Sequence, residues 1–166
     1  HLFISLVNQP HEHRCQMIDI LEKNRLINKN ILSWHKKNFS TYKFRYWKEK
    51  ISVLSDGYEE NKEQHNIPAE FNKCFLNLVL ESTVDGIFVT EKTYHAILCA
   101  KPFICLAAPK FHYFLEMQGF KLYTEIFNYD FDEEKNLNKR IAKIAKQLKN
   151  LSSQNYDELY KKIKPK

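Results

Sequence analysis

One stretch constrains this chain more than any other. Phe75 to Leu106 reads FLNLVLESTVDGIFVTEKTYHAILCAKPFICL. An apolar run, Phe75 to Leu80, ends at Glu81-Ser82, and a second, Pro102 to Leu106, carries no charge. Between them lie a polar segment and a helical one opening at Thr90-Glu91-Lys92. Runs this apolar are covered on both faces, which predicts a parallel α/β sheet with helices joining its strands. Such sheets bind ligands outside the carboxyl ends of the strands, at helix N-termini. Glu81, Thr90, Glu91 and Lys92 fall at that edge, so the function is expected there.

The flanking sequence fits the same plan. Leu2 to Val7 reads as a short strand stopped by Asn8-Gln9-Pro10. Cys15, Ile18, Leu21 and Leu26 then recur at helical spacing, with Ile20 widening the stripe. Arg14 falls in the first turn of that helix. Asn28-Lys29-Asn30 is a turn and Ile31 to Trp34 a second strand, giving a β-α-β unit whose crossover is expected to be right-handed. Phe39 to Glu49 is aromatic and basic, read as a short helix that packs in a core or interface. Residues 55–68 read as a loop around Asp56-Gly57.

Beyond Leu106, Lys110 to Gln118 reads as a short helix ended by Gly119. Phe120 to Ile126 is expected to be a short edge strand. A long helix is expected from Asp132 to Leu151, with Asp132-Glu133-Glu134 complementing its dipole, and a last one over residues 152–163. No internal repeat is present. The sequence therefore predicts a single α/β domain over residues 1–166, a Rossmann-like parallel sheet flanked by helices and followed by C-terminal helices.

Composition removes several functions. With three glycines in 166 residues, no glycine-rich phosphate loop of the Walker or dinucleotide type can be built. The net charge of +6 suits anionic partners, although the lysines from Lys135 to Lys166, with Arg140, read as a solvated face and tail. Cys15, Cys74, Cys99 and Cys105 form no C-x-x-C pair, and three of them sit in apolar runs. A reducing, cytoplasmic compartment is expected. No apolar run is long enough to span a bilayer and no signal peptide is visible. The chain opens at His1, so an excised domain lacking an N-terminal partner segment is also expected.

The segment from Glu81 to Lys92, ESTVDGIFVTEK, resembles the signature of the α1,3-fucosyltransferases. There an apolar strand runs into Glu-Asn-Ser, a short variable stretch, and Asp-Tyr-Val-Thr-Glu-Lys. The spacing between the two glutamates is the same, and Val89-Thr90-Glu91-Lys92 matches residue for residue. Phe3-Ile4-Ser5-Leu6 followed by Arg14 resembles the start of that family's nucleotide-binding domain. Ser82, Ile87 and Phe88 depart from it, standing where the family has Asn, Asp and Tyr, and Phe88 lacks the hydroxyl of Tyr.

The resemblance implies the C-terminal, donor-binding half of a GT-B glycosyltransferase. It would hold a nucleotide-activated sugar, GDP-fucose, for inverting transfer to a hydroxyl of a glycan or other acceptor. No metal or other cofactor is expected. The general base would come from the absent N-terminal domain, so no catalytic base is assigned in this chain.

The residues carry roles of their own. A departing nucleoside diphosphate gains negative charge, which cations and helix N-terminal amides stabilise. Lys92 would place an ammonium on the phosphates, and Arg14 a guanidinium from the neighbouring edge. Glu91 would accept from ribose hydroxyls, Thr90 would cap the helix, and Phe88 would stack or pack. Glu81 would orient Lys92 or touch the sugar. Each also has a plainer reading: Thr90-Glu91-Lys92 as a helix start, Arg14 and Glu81 as structural partners.

His11-Glu12-His13 lacks a third ligand at recognisable spacing for a metal, and reads as a polar loop, with assistance to a phosphate as a second reading. His95 and His112 read as packing or surface residues. The competing reading of the whole chain is a non-catalytic basic α/β module that binds nucleic acid or a protein partner. It would use Tyr42 to Lys48 and the lysine-rich C-terminus.

Overall fold

The computed structural model describes residues 1–7, 9–34, 42–47, 67 and 69–163. Strands β1 (Phe3–Val7), β2 (Ile31–Trp34), β3 (Leu76–Leu80) and β4 (Phe103–Leu106) form one sheet in the order β2-β1-β3-β4. Every pairing is parallel, with Ile4 opposite Ile31, Phe3 opposite Leu76 and Leu78 opposite Ile104. Helices α1 (Glu12–Lys23), α2 (Glu91–Leu98), α3 (Phe111–Met117), α4 (Leu137–Leu151) and α5 (Tyr156–Ile163) flank it. This is the Rossmann-like α/β arrangement expected from the apolar runs.

The period-two geometry of each strand divides the core between two faces. Phe3, Val7, Leu76, Leu78, Leu80, Ile104 and Leu106 face a core shared with α1, α4 and α5. Val79, Phe103 and Cys105 face the opposite core, built with α2 and α3. All residues of β3 and β4 are buried, which is why these runs lack charge.

Several expectations require correction. Residues 120–126, all described, form turns and no strand: Ile126 and Phe127 both donate from their amides to Tyr123 O. Leu122 and Phe127 bury their side chains instead, so apolar character marked packing and not pairing. The long helix starts at Leu137, not Asp132, with Asn136 as its N-cap accepting from Lys139 N at 3.1 Å. Asp132 serves another helix. Its Oδ1 accepts from His112 N and its Oδ2 from Tyr113 N, both at 3.0 Å, so it caps α3 from outside.

His112 is fully buried and works with Asp132 as packing, as expected. Its Nε2 accepts from Cys105 N at 3.0 Å, which leaves the ring hydrogen on Nδ1 to donate to Asp132 Oδ1 at 2.8 Å. The expected helix over Phe39 to Glu49 falls partly outside the described residues. The described part, 42–47, is not helical. Its amides at Arg45, Tyr46 and Trp47 converge on the buried Asp19 of α1 at 2.7–3.1 Å. Phe44 stacks edge-on against Tyr42 and Trp47, so these aromatics do pack in the core.

Arg140 was expected among the solvated basic residues; it is only 3% exposed, with Nη1 donating to Glu134 O at 2.8 Å. It lies on the inner stripe of α4 beside Ile141 and Ile144, and helical period overrides charge there. The lysines at 139, 146 and 149 do face solvent. All four cysteines are free thiols. Among the described residues, no helix is long and apolar enough to cross a membrane.

Candidate functional site

The strand order defines where a site can open. From β1 the chain crosses through α1 to β2 on one side, while β3 and β4 lie on the other. The connections leaving β1 and β3 therefore diverge, which makes this the switch point at which open α/β sheets bind ligands. The segment from Gln9 to Arg14 lies on one side of it and Glu81 to Lys92 on the other.

Glu81 follows β3 directly and is fully buried. Its Oε1 accepts from Thr90 N at 3.2 Å and Thr93 Oγ1 at 2.6 Å, and its Oε2 from Thr90 Oγ1 at 2.6 Å. Both oxygens are thus spent on the start of α2, and the carboxylate closes the loop 82–89 at its base. These bonds display the plainer reading of Glu81, a structural partner of a backbone amide, and give it no contact with Lys92. Thr90 is the N-cap expected: extended backbone, with Oγ1 accepting from Lys92 N at 3.4 Å. Below Oε1, Thr93 Oγ1 also lies 3.6 Å from Cys105 Sγ, whose thiol is pushed up by burial first and Glu81 second.

Arg14 is 2% exposed and reaches across from α1 to the end of β3. Its Nε donates to Glu81 O at 3.2 Å, Nη1 to Gln9 O at 3.1 Å and Nη2 to Ser82 Oγ at 3.4 Å. Of five guanidinium N–H groups, these use three, leaving one on each terminal nitrogen. Burial lowers its pKa, opposed by Glu81 and then Glu91. Beside it, His13 donates from Nε2 to the same Glu81 carbonyl at 2.8 Å. Burial drives the His13 pKa down to about 4, against the raising effect of that hydrogen bond and with a further lowering by Arg14. His13 is therefore a structural strut between α1 and β3, which no spacing in the sequence signals.

Lys92 and Glu91 are adjacent at the start of α2, and Lys92 Nζ donates to Glu91 Oε1 at 2.6 Å. The Lys92 side chain is 14% exposed and that of Glu91 43%, so the pair sits at the rim with the carboxylate outermost. Burial alone would raise the Glu91 pKa, but the hydrogen bond and charge of Lys92 outweigh it and hold it low. Phe88 is 58% exposed, and Ile87 beside it 46%.

Arg14 and Lys92 share a neighbour. His11, at the N-terminus of α1, is exposed but partly desolvated, and its pKa is lowered by that desolvation first and then by both of those charges. The structure thus gathers Arg14, Lys92, Glu91 and His11 at one edge, over the buried Glu81–Thr90 latch. No group of three or more His, Cys, Asp or Glu among the described residues is arranged to hold a metal ion.

Fold and site together define a parallel α/β protein with a cationic rim at its topological switch point. No protein-family model, curated protein or solved structure matches the chain.

Proposed function

We propose that this chain is the donor-binding domain of a GT-B-type glycosyltransferase. It would hold a nucleotide-activated sugar, GDP-fucose by resemblance, for inverting, metal-independent transfer to a hydroxyl acceptor. The observation that carries this reading is that Arg14 and Lys92, set by separate elements, both act on His11 at the switch point between β1 and β3. Two cations set by separate elements on one edge suit a diphosphate, whose charge grows as the glycosidic bond breaks.

In this reading the latch of Glu81 on Thr90 sets the first turn of α2, and with it the origin of the Lys92 side chain. Arg14 offers its two remaining N–H groups, preorganised by three fixed ones. Glu91 accepts from ribose hydroxyls while releasing Lys92 to the phosphates. Phe88 gives an exposed ring for stacking. The hydroxyl of the acceptor would be deprotonated by a base from another domain.

The test is thermal unfolding with GDP, GDP-fucose and other sugar nucleotides. Binding to the folded state raises Tm, and Lys92→Ala is expected to abolish the rise. Oligonucleotide binding with a steep salt dependence, and no effect of any nucleotide, would sink this reading in favour of a nucleic-acid-binding module.

A further inference from the structure

His11 is the N-cap residue of α1, yet its side chain makes no capping hydrogen bond. It is solvent-exposed, and its ring stacks on that of His13 with centroids 5.8 Å apart and planes 5° from parallel. His13 is in turn pinned to Glu81 O. The stack thereby holds His11 beside the end of β3, at the switch point between β1 and β3.

The charged groups around it are nearly all accounted for by other partners. From its own helix come Arg14 and the buried His13, and from α2 comes Lys92. The carboxylate of Glu91 is taken by Lys92, that of Glu81 by Thr90 and Thr93, and Glu12 accepts from Gln16. Asp85, in the loop after β3, acts on His13. Among the described residues His11 has no carboxylate partner of its own, while two cations bear on it. An imidazole so placed gives up its proton more readily than a free one, and an arriving anion reverses the sign of its surroundings.

We propose that His11 is a third ligand of the diphosphate, taking up a proton as the anion enters and donating a hydrogen bond to a phosphate oxygen beside Arg14 and Lys92. The inference rests on the donor-site reading above and adds to it a contact residue and a pH dependence. Because the bound form holds the proton more tightly, binding strengthens as pH falls, by up to about tenfold per unit between the two His11 pKa values. The diphosphate of a sugar nucleotide is a diester lacking the ionisation near pH 6 of a terminal phosphate, so the ligand does not supply this slope itself.

The experiment is calorimetric titration of GDP-fucose into the wild-type chain and His11→Gln, at about pH 6 and about pH 8, in two buffers of different ionisation enthalpy. The wild type is expected to take up a fraction of a proton, at most one, and to bind several-fold more tightly at the lower pH. His11→Gln, an exposed replacement that leaves the core untouched, is expected to bind more weakly at low pH and to lose both uptake and slope. If His11→Gln keeps wild-type affinity and proton uptake, or if wild-type binding is independent of pH, the role of His11 is overturned and the donor site stands. A wild-type chain that binds no sugar nucleotide overturns both.

Discussion

Glu81 and Thr90 face each other across the base of a loop, with Thr90 Oγ1 donating to Glu81 Oε2 at 2.6 Å and Thr90 N to Oε1 at 3.2 Å. Together with Thr93, this buried carboxylate ties the end of β3 to the start of α2. The rim that carries Lys92 is built on this latch, so its removal should be felt in both stability and binding.

Thr93→Val tests the latch with little change of shape. It deletes one charge-assisted hydrogen bond to Glu81, and a loss of about 1.5–3 kcal/mol is expected from urea unfolding. Thr90→Ala removes the N-cap as well as a Glu81 contact, and should cost at least the ~1 kcal/mol typical of a lost cap. Wild-type stability for either variant would mean that the latch is not closed in solution.

His13 sets a pH dependence between its unfolded and folded pKa values. Its folded pKa, near 4, lies below the usual 6.5, so the unfolded chain binds the extra proton in this window. Stability should therefore fall as pH drops from about 6.5 toward about 4. The loss is on the order of 3 kcal/mol when the window has been crossed. Urea midpoints measured across this range check it, and His13→Gln should flatten the slope.

Asp132 acts lower on the scale. Burial would raise its pKa, but the hydrogen bonds from the His112 ring and from the amides of His112 and Tyr113 prevail and hold it below the usual carboxylate value. Its contribution is present above the unfolded pKa of about 4 and lost as pH falls through the lowered folded one. Asp132→Asn should remove this acid-side component and loosen the start of α3, seen as faster amide exchange at His112 and Tyr113.

Asp19 gathers the amides of Arg45, Tyr46 and Trp47 against α1. Asp19→Ala would leave those donors without their acceptor, and a loss of about 3 kcal/mol is expected. Intrinsic fluorescence should report exposure of Trp47, which is 6% exposed in the native fold.

How much was legible beforehand follows from how local each signal is. The four strands and the N-cap at Thr90 were readable because apolar runs and capping residues act within a few neighbours. Ile31–Trp34 and the glycine stop at Gly119, with φ +88°, fell where expected for the same reason. Asp132 misled because an acidic cluster before a helical pattern looks like a helix start, and only packing reveals that it caps the preceding helix. Phe120 to Ile126 misled because burial and strand pairing draw on the same residue types.

The sequence by itself determined the parallel α/β plan, the absence of a glycine-rich phosphate loop, and the edge at which Arg14, Glu81 and Lys92 would fall. The tertiary structure decided what those side chains are free to do. It buried Glu81 under α2, spent three of the N–H groups of Arg14 on Gln9, Glu81 and Ser82, paired Lys92 with Glu91, and stacked His11 on His13. The reason is distance along the chain. His13 and Glu81 are separated by 68 residues, and contacts of that span are set by which strands become neighbours in the sheet, not by any local pattern.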